Sequence, residues 1–281
     1  MASSRRIQTG RESQWRDRPL IMGVLNVTPD SFFDGGKYST RVKAVDHALR
    51  MAEDGADIID VGGESSRPFS KPITIDEELR RVIPVVEGIR ERLTIPISVD
   101  TCKARVAQES FFAGADMVND ISGLRHDPEM ADTVNAAKAK VIIMHMKGTP
   151  QTMQIDPSYD DIIFEICAFF EERIDFAVTG KGIERSNIVL DPGIGFGKRV
   201  EDNLRIIKHI NIFKKFNLPV LVGTSMKGFI GKITESTQRG RLEGTLASIA
   251  LSVWNGADIV RVHDVKKAKK TVVFTDAVMR V

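Results

Sequence analysis

Short apolar runs alternate along the chain with longer amphipathic stretches. The runs are rich in Val and Ile and are not interrupted by regular polar positions, which is typical of strands buried on both faces of a parallel sheet. Each run is short enough to be one strand. The pattern predicts eight strands, at residues 20–27, 57–63, 95–100, 116–120, 140–145, 187–193, 218–225 and 258–263.

The segments between these runs carry helical signals. Thr74 and Glu77 have the spacing of a capping box, and they predict the start of a helix with an apolar face of Leu79, Val82, Ile83 and Val86. Three helical segments end in D-G-A-D, A-G-A-D and N-G-A-D, each just before the next strand. A recurring turn with Gly near the helix end indicates one architecture that is used repeatedly.

Strict alternation of eight strands with helices predicts a (β/α)8 TIM barrel, an α/β fold. We expect one barrel domain over residues 19–281, preceded by a flexible N-terminal tail over residues 1–18. An open, doubly wound sheet is the alternative, but it has no reason to stop at eight strands. The first strand is also not followed by G-x-G-x-x-G, the signature of dinucleotide binding.

Composition narrows the class of protein. Apolar residues make up 42% and charged residues 28% of the chain, as in ordinary globular proteins, and the net charge is +2. This balance does not indicate a nucleic acid or an anionic membrane as the main partner, and no apolar run approaches the ~20 residues of a membrane span. Cys102 and Cys167 have neither metal-like nor disulfide-like spacing, so we expect a reducing, cytoplasmic location.

The predicted strands deliver polar side chains to one end of the barrel. In this fold, chemistry takes place where strands end and the following loops begin. Asp120 and Asp264 are expected to anchor a loop and a helix, and Cys102 is expected to be inert. The other polar groups at strand ends fall into two sets, which are a cationic set of Asn26, Arg67, Arg261 and His263, and a mixed set of Asp100, Asn119, Asp191 and Lys227.

The two sets suit two parts of one ligand. Arg and His side chains can donate to phosphate oxygens, and Asn can bind a metal or an oxygen, so the cationic set predicts a phosphate site. A carboxylate accepts two parallel N–H bonds, so the mixed set fits a flat nitrogen heterocycle. We therefore expect a heterocycle deep in the barrel mouth and a phosphorylated group above it.

Eight motifs now resemble those of the dihydropteroate synthases of folate biosynthesis. They follow one another in the family order from about Leu20 to the C-terminus, and are NVTPDSFFDGG, DVGGESSRP, SVDT, NDISG, MHMKGTPQ, DPGIGFGK, GTSMKGFIG and RVHDV. The resemblance implies condensation of 6-hydroxymethyl-7,8-dihydropterin pyrophosphate with 4-aminobenzoate, assisted by Mg²⁺. It also implies an SN1-like path through a pterin methyl cation, and a homodimer.

The resemblance assigns roles to residues at matching positions. The pterin contacts would be Asp100, Asn119, Met144, Asp191, Phe196, Lys227 and Arg261. The pyrophosphate contacts would be Asn26, Arg67, Arg261 and His263, with Asn26 also at Mg²⁺. The 4-aminobenzoate contacts would be Phe32, Ser66, Pro68 and Gly228, and the residues nearest the chemistry would be Asp34, Arg67, Lys227, Arg261 and His263.

Two loops are expected to act as mobile lids that exclude water, namely residues 28–40 and 64–73. Phe32 would then form part of the 4-aminobenzoate pocket, although both Phe32 and Phe33 could instead pack under their loop. Ile249, Val253 and Trp254 are candidates either for a dimer interface or for the core.

The chain departs from the family pattern at the second substrate. Ser66 replaces the usual Thr, and Met226 and Gly228 interrupt the usual Ser-Arg-Lys-Ser, so a hydroxyl near the 4-aminobenzoate carboxylate is missing. Affinity for 4-aminobenzoate and for sulfonamide mimics stays open. Two other functions also stay open, a methyltetrahydrofolate:corrinoid methyltransferase and a non-catalytic pterin-binding homologue.

Overall fold

A computed structural model describes the chain over residues 18–28, 37–67 and 69–281. The strands of this described part form one parallel sheet in the order β6-β5-β4-β3-β2-β1-β8-β7. A bridge between Leu190 and Val220 joins β6 to β7 and closes the barrel. The strands are β1 (Leu20–Asn26), β2 (Ile58–Gly62), β3 (Ile97–Asp100), β4 (Met117–Asp120), β5 (Lys140–Met144), β6 (Ile188–Asp191), β7 (Leu221–Val222) and β8 (Ile259–Val262). The predicted (β/α)8 barrel is confirmed.

Helices follow the strands around the outside. They are α1 (Lys37–Glu53), α2 (Ile75–Arg90), α3 (Ala104–Phe112), α4 (Met130–Ala137), α5 (Ile162–Asp175), α6 (Val200–Lys208), α7 (Ile210–Phe213), α8 (Gly228–Ile233), α9 (Leu242–Trp254) and α10 (Val265–Met279). A π-helical turn spans Phe176–Gly180, and 3-10 turns span Arg185–Asn187, Lys214–Phe216 and Gln238–Arg241.

Helix α2 begins where its sequence predicts, but only the Thr74 half of the predicted capping box is present. Thr74 accepts a hydrogen bond from the Glu77 N–H at 3.2 Å, which supplies the N-cap. The Glu77 carboxylate pairs with Arg80 and Arg81. The buried face of α2 includes Val82, Val85, Val86 and Ile89, while Leu79 and Ile83 lie at its margin.

The barrel interior is apolar towards the amino ends of the strands and polar towards their carboxyl ends. Its lower layers are apolar, and they are formed by Leu20, Met22, Ile58, Met117, Ile142, Val189, Leu221 and Ile259. Side chains two residues further along a strand lie on the same face. The next inward positions are therefore polar on several strands, among them Asp60, Ser98, Asn119, Asp191 and Arg261. The alternation thus brings polar groups together above an apolar plug.

The same G-A-D turn occurs at the amino ends of three strands. Gly55, Gly114 and Gly256 have φ values of 100°, 108° and 102°, which lie in the region that Gly favours. The Asp two residues later accepts the backbone N–H of the preceding strand: Asp57 from Ile21 at 2.9 Å, Asp116 from Ile97 at 2.8 Å and Asp258 from Val220 at 2.7 Å. A basic side chain pairs with each Asp, namely Arg18, Arg90 and Lys214. The repeated G-A-D turn therefore fixes strand pairs at this end.

Two outer clusters of apolar side chains fill the space between strands and helices. One lies behind strands β4 to β7, and the other behind strands β8, β1, β2 and β3. Ile249 and Val253 belong to the second cluster, with 1% exposure each, whereas Trp254 is 56% exposed. Of the three interface candidates, Ile249 and Val253 are therefore core residues.

Candidate active site

Glycines leave room at the carboxyl end of the barrel. A Cβ atom added at Gly62 would lie 3.7 Å from Asn26 Oδ1 and 3.9 Å from Asp100 Oδ2. One added at Gly223 would lie 3.7 Å from Arg261 Cβ and 3.9 Å from Lys227 Nζ. Strands β2 and β7 thus contribute space, and their neighbours contribute the polar groups around it.

A guanidinium held between two carboxylates forms the floor of this mouth. Arg261 Nε donates to Asp60 Oδ2 at 2.6 Å, and Arg261 Nη2 donates to Asp100 Oδ2 at 2.6 Å. Burial raises the pKa of Asp100, while the charge of Arg261 opposes the rise and that of Asp60 adds to it. The cationic set predicted from sequence included Arg261, but its hydrogen bonds join it to the acidic groups.

Asp60 was not among the predicted site residues. Its side chain is fully buried, and it also accepts a hydrogen bond from Asn119 Nδ2 at 3.3 Å. The available signal was an acid inside an otherwise apolar strand, two residues after the inward-facing Ile58.

Asp191 ends strand β6 beside a loop of close backbone approach. Its Oδ1 accepts the Gly193 N–H at 2.7 Å. Gly193 has a φ of 68°, and a Cβ there would lie 1.9 Å from the His145 carbonyl oxygen, so only Gly fits. Burial raises the pKa of Asp191, and Lys227 opposes this most strongly. The loop is therefore held tightly against the end of β5.

Lys227 and two apolar side chains complete one wall. Lys227 donates to the Ile194 carbonyl, and its Nζ lies 4.6 Å from the centroid of the Phe196 ring. Burial lowers the pKa of Lys227 to about 8, and Asp191 opposes the change. Phe196 and Met144 share a small buried cluster with Ile121, Met146 and Met153. This wall offers an apolar surface beside hydrogen-bonding groups.

A buried lysine, also not predicted, supports the same loop. Lys198 Nζ donates to the Phe196 carbonyl at 2.9 Å and to the His145 carbonyl at 3.2 Å, and it lies 3.0 Å from His145 Nδ1. Burial lowers the pKa of Lys198 to about 7 and that of His145 to about 2, so His145 is neutral and accepts at Nδ1. The DPGIGFGK motif thus ends in a residue that joins two loops.

The phosphate-type groups lie nearer the surface. His263 Nδ1 is 3.0 Å from Ser225 Oγ, which also accepts the His263 backbone N–H at 3.3 Å. Either atom can be the donor in the bond between Nδ1 and Oγ, and with Ser225 as the donor the neutral ring carries its proton on Nε2. Desolvation and the charges of Arg261, Lys227 and Arg67 lower the pKa of His263 to about 4.

The loop that carries Arg67 spans towards strand β5. Its first residue, Glu64, pairs with Lys103, which also pairs with the buried Glu78. Further along, the Phe69 N–H donates to the Pro150 carbonyl at 3.1 Å, and Gln151 Nε2 donates to the Ser70 carbonyl at 3.2 Å. Arg67 itself is exposed. This loop therefore rests on the loop that follows β5.

The model of the family "Pterin binding enzyme" matches residues 22–263. The dihydropteroate synthase of Bacillus subtilis (strain 168) is 44% identical over 94% of this chain and 90% of its own length. The chain belongs to the dihydropteroate synthase family. A Yersinia pestis dihydropteroate synthase, solved with a sulfonamide drug complex, superposes with a TM-score of 0.89 at 41% identity, over 94% of this chain and 95% of that one. A Xanthomonas albilineans dihydropteroate synthase with 4-aminobenzoic acid gives 0.88 at 42%, over 94% of each chain.

Several of the positions that the family resemblance singled out converge in this chain. Contacts link Arg261 to Asp100, Lys227 to Phe196, and Phe196 to Met144. Asp191 is close enough to Lys227 for that charge to oppose the rise in its pKa. Asn119 donates a hydrogen bond to Asp60, the carboxylate that also holds Arg261. Phe32, Asp34 and Pro68 lie outside the described residues, so their predicted roles stay predictions.

The positions that depart from the family pattern lie at the rim. Ser66 is half-buried in the loop after β2, and Gly228 is exposed at the start of α8. A Cβ added at Gly228 would have no heavy atom within 4 Å. At Gly228 the chain therefore has open space where the family pattern has a hydroxyl, and no other side chain fills it.

A magnesium site can be tested against the donor atoms. Within residues 18–28, 37–67 and 69–281, no group of three or more His, Cys, Asp or Glu residues could hold a metal ion. The Gly62 distances place Asn26 Oδ1 and Asp100 Oδ2 beside the same open space. These are hard oxygen donors, and Mg²⁺ in phosphate sites takes one or two protein oxygens with the rest from phosphate and water. The residues therefore fit a metal held largely by a phosphorylated substrate.

Asp120 and Asp264 have the structural roles expected of them, and the surroundings of Cys102 agree with the inert thiol that was expected. Asp120 accepts hydrogen bonds from the N–H groups of Ser122 and Leu124 at 2.8 and 2.9 Å. Asp264 caps α10 by accepting the Lys267 N–H at 3.1 Å. Burial raises the pKa of the Cys102 thiol well above its ordinary value, so the thiol stays protonated.

Proposed function

We propose that this chain condenses 6-hydroxymethyl-7,8-dihydropterin pyrophosphate with 4-aminobenzoate to give 7,8-dihydropteroate and pyrophosphate. The observation that carries the proposal is the convergence of Asp100, Asn119, Asp191, Lys227 and Arg261 on one barrel mouth in a chain of this family. These groups supply acceptors and donors for a flat heterocycle, and Phe196 and Met144 supply its apolar contact.

Recognition of the pterin would rest on buried polar atoms. Asn119 Oδ1 is buried and has no hydrogen-bond partner among the described residues. A buried acceptor without a hydrogen bond costs free energy, so a ring N–H that bonds it removes this cost when the ligand binds. Asp191 has a second oxygen besides the one that bonds Gly193, and Lys227 can donate to a ring acceptor.

Departure of pyrophosphate would be helped by Arg67, Arg261 and His263. With Ser225 as the donor to Nδ1, His263 would carry its proton on Nε2 and could donate it to a phosphate oxygen. Asn26 would contribute an oxygen to Mg²⁺, which when bound would neutralise charge on the leaving pyrophosphate. These groups stabilise charge that grows as the bond breaks, which is where stabilisation accelerates a reaction.

The pathway would be SN1-like, with a pterin methyl cation that the aniline nitrogen then attacks. This path requires no protein nucleophile, and the buried, protonated Cys102 is not one. Such a cation must be shielded from water, which is the proposed role of residues 28–40 and 64–73. Within that scheme Asp34 would face the developing positive charge, and Phe32 and Pro68 would line the 4-aminobenzoate pocket with Ser66 and Gly228.

Release of pyrophosphate tests the activity. We expect release only when both substrates and Mg²⁺ are present, because the aniline nitrogen must capture the cation. Omitting each substrate in turn supplies the controls. A methyl transfer from methyl-tetrahydrofolate to a corrinoid, without pyrophosphate release, would support the methyltransferase; pterin binding with background turnover would support a non-catalytic homologue.

We infer further that two copies of the chain associate through α9 and α10. These neighbouring helices carry exposed apolar side chains at helical spacing, with Leu251 and Trp254 on α9 and Phe274 and Val278 on α10, exposed by 54%, 56%, 72% and 46%. Exposed apolar groups on adjacent helices are typical of an interface.

Sedimentation at micromolar concentration tests this association. We expect twice the chain mass for the unaltered chain and a monomer for the double variant Trp254→Glu, Phe274→Glu. Phe112→Glu is the matched control, because Phe112 is 80% exposed on the distant α3. A monomeric unaltered chain would contradict the dimer.

The setting of the reaction is also inferred. No described helix has the length and apolar character needed to cross a membrane. Cys102 and Cys167 are both unpaired thiols, which suits the reducing cytoplasm. The partners would then be small-molecule substrates and a second copy of the chain.

A further inference from the structure

Asp60 lies beneath the residues assigned to the pterin. It is two residues before Gly62, whose Cα partner on the next strand is Asp100. Its own Cα partner on β3 is Ser98, and its side chain is fully buried. Asp60 is thus within the wall of the site, and its Oδ2 atom bonds both Arg261 and Asn119, so it can act on a ligand through these two residues.

One effect concerns Arg261. The hydrogen bonds from Nε to Asp60 and from Nη2 to Asp100 hold the guanidinium at two points, each 2.6 Å long. Because the guanidinium is planar, two fixed N–H directions set the orientation of the whole group. Without Asp60, only the bond to Asp100 would remain, and the plane could rotate about it.

The second effect concerns Asn119. Its amide can present either an acceptor or a donor to the ligand, depending on which way it is turned. A carboxylate paired with a guanidinium only accepts hydrogen bonds, so Asp60 requires the Asn119 NH₂ group to face it, as observed at 3.3 Å. The carbonyl Oδ1 is then left as a buried acceptor, and no atom of the described chain bonds it.

We propose that Asp60 is a positioning residue for pterin binding, which fixes Asn119 as an acceptor and holds the plane of Arg261. The inference rests on the proposed function, because it assumes a heterocycle that presents N–H groups to the floor. Asp60 contacts two ligand-facing side chains on β4 and β8 from its place on β2, so one carboxylate aligns groups from two other strands.

Two substitutions separate charge from constraint. Asp60→Asn keeps the size and one acceptor oxygen, but its amide can also donate, so Asn119 is no longer held in one orientation. We expect about 10-fold weaker binding of 6-hydroxymethylpterin, measured by fluorescence titration. Asp60→Ala removes every contact, and we expect a loss of roughly 100-fold.

Ser98→Ala is the matched control. Ser98 is equally buried, is the Cα partner of Asp60, and its hydroxyl has no partner within the described ranges. It bonds neither Arg261 nor Asn119, so we expect pterin affinity within about twofold of the unaltered chain. Thermal unfolding of every variant reports whether the fold survives.

Kinetics separate positioning from a general loss of structure. A positioning role predicts a raised KM for the pterin substrate in Asp60→Asn and an unchanged KM for 4-aminobenzoate. In an Asn119→Ala background, the effect of Asp60→Asn on pterin affinity should shrink to about threefold or less, because one of its two targets is gone.

The possible results have distinct meanings. Unchanged pterin affinity in both Asp60 variants, an equal loss in Ser98→Ala, or fully additive losses with Asn119→Ala would each overturn the inference. An unaltered chain that binds pterin but releases no pyrophosphate would end the proposed activity alone, since the titration does not depend on turnover. An unaltered chain that does not bind pterin would end both.

Discussion

The two ends of this barrel are built in different ways. At the amino ends of the strands, Asp57, Asp116 and Asp258 repeat one arrangement, in which an acid after a Gly-Ala turn accepts a strand N–H and pairs with a base. At the carboxyl ends, the strands deliver groups of several kinds to the mouth, among them the amide of Asn119, the carboxylate of Asp191 and the guanidinium of Arg261. The repeated turn holds neighbouring strands together, whereas the different groups at the mouth suit a ligand that presents both donors and acceptors. Acids of the same type therefore do structural work at one end and binding work at the other.

The largest expected effect is at the carboxyl end. Asp191→Asn keeps an acceptor for the Gly193 N–H but loses a carboxylate that would bind two ring N–H groups. We expect kcat/KM for the pterin substrate to fall roughly 1,000-fold, because unpaired polar groups remain in the complex. Thermal stability should not fall, since burial of this charge is unfavourable. A variant that loses stability but retains kcat/KM would remove the distinction between the two ends.

The next largest effect is at the amino end and concerns stability. Asp116→Ala leaves the Ile97 N–H and Arg90 without their shared acceptor, so we expect a loss of about 2 kcal/mol in the free energy of unfolding. Activity at low temperature should be retained. Glu109→Ala, which removes an exposed ion pair with Arg105, is the control and should change stability by less than about 0.5 kcal/mol. A loss of activity in folded Asp116→Ala would show that the ends are coupled.

A third test uses the proton on His263. Its pKa is lowered to about 4, so the free ring is neutral at about pH 6 and a bound anion should raise that pKa. We expect binding of pyrophosphate at about pH 6 to take up roughly half a proton more in the unaltered chain than in His263→Gln. Calorimetry in two buffers of different ionisation enthalpy measures this difference, and equal uptake would remove His263 from the phosphate site.

The same shift affects the stability of the free chain. Between about pH 4 and 6.5 the unfolded ring takes up a proton more readily than the folded ring. The contribution of His263 to stability is therefore present above this range and is lost as the pH falls through it.

The smallest effect is expected at the rim. Gly228→Ser restores the hydroxyl of the family pattern in open space, so no steric strain opposes it. We expect KM for 4-aminobenzoate to fall about threefold, with KM for the pterin substrate unchanged. Gly228→Ala is the control for loss of backbone freedom. A threefold fall in both variants would mean that the hydroxyl is irrelevant.

The fold follows from sequence because its signals are local. Apolar runs, the Thr74 cap and the G-A-D turns each depend on neighbouring residues, and all appear in the structure. The run at 218–225 yields only a two-residue strand, Leu221–Val222. Pro219 near its start has no N–H to pair, and Gly223 near its end opens the mouth, so an apolar run overstated the paired length.

The site is only partly readable because its pairings are distant. Asp100, Asn119, Asp191 and Lys227 could be placed in it, since they end predicted strands. Asp60 lies 201 residues from Arg261 along the chain, and their bond depends on the closing of β8 onto β1 and β2. For the same reason, Lys198 and His145 were not predicted as a pair. From its charge alone, Arg261 was assigned to a phosphate site. In the structure, the register of three strands places it between Asp60 and Asp100.

The three G-A-D turns reinforce some strand pairs of the barrel and not others. They join β1 to β2, β3 to β4 and β7 to β8, whereas in the part of the chain that the structure describes β5 and β6 have no such turn, and an isolated bridge links β6 to the residue before β7. Native-state hydrogen exchange would thus begin at the seam beside Leu190, which leads directly into Asp191 and the DPGIGFGK loop. Local opening at this seam would loosen the strand end that carries Asp191, one of the residues proposed to bind the pterin.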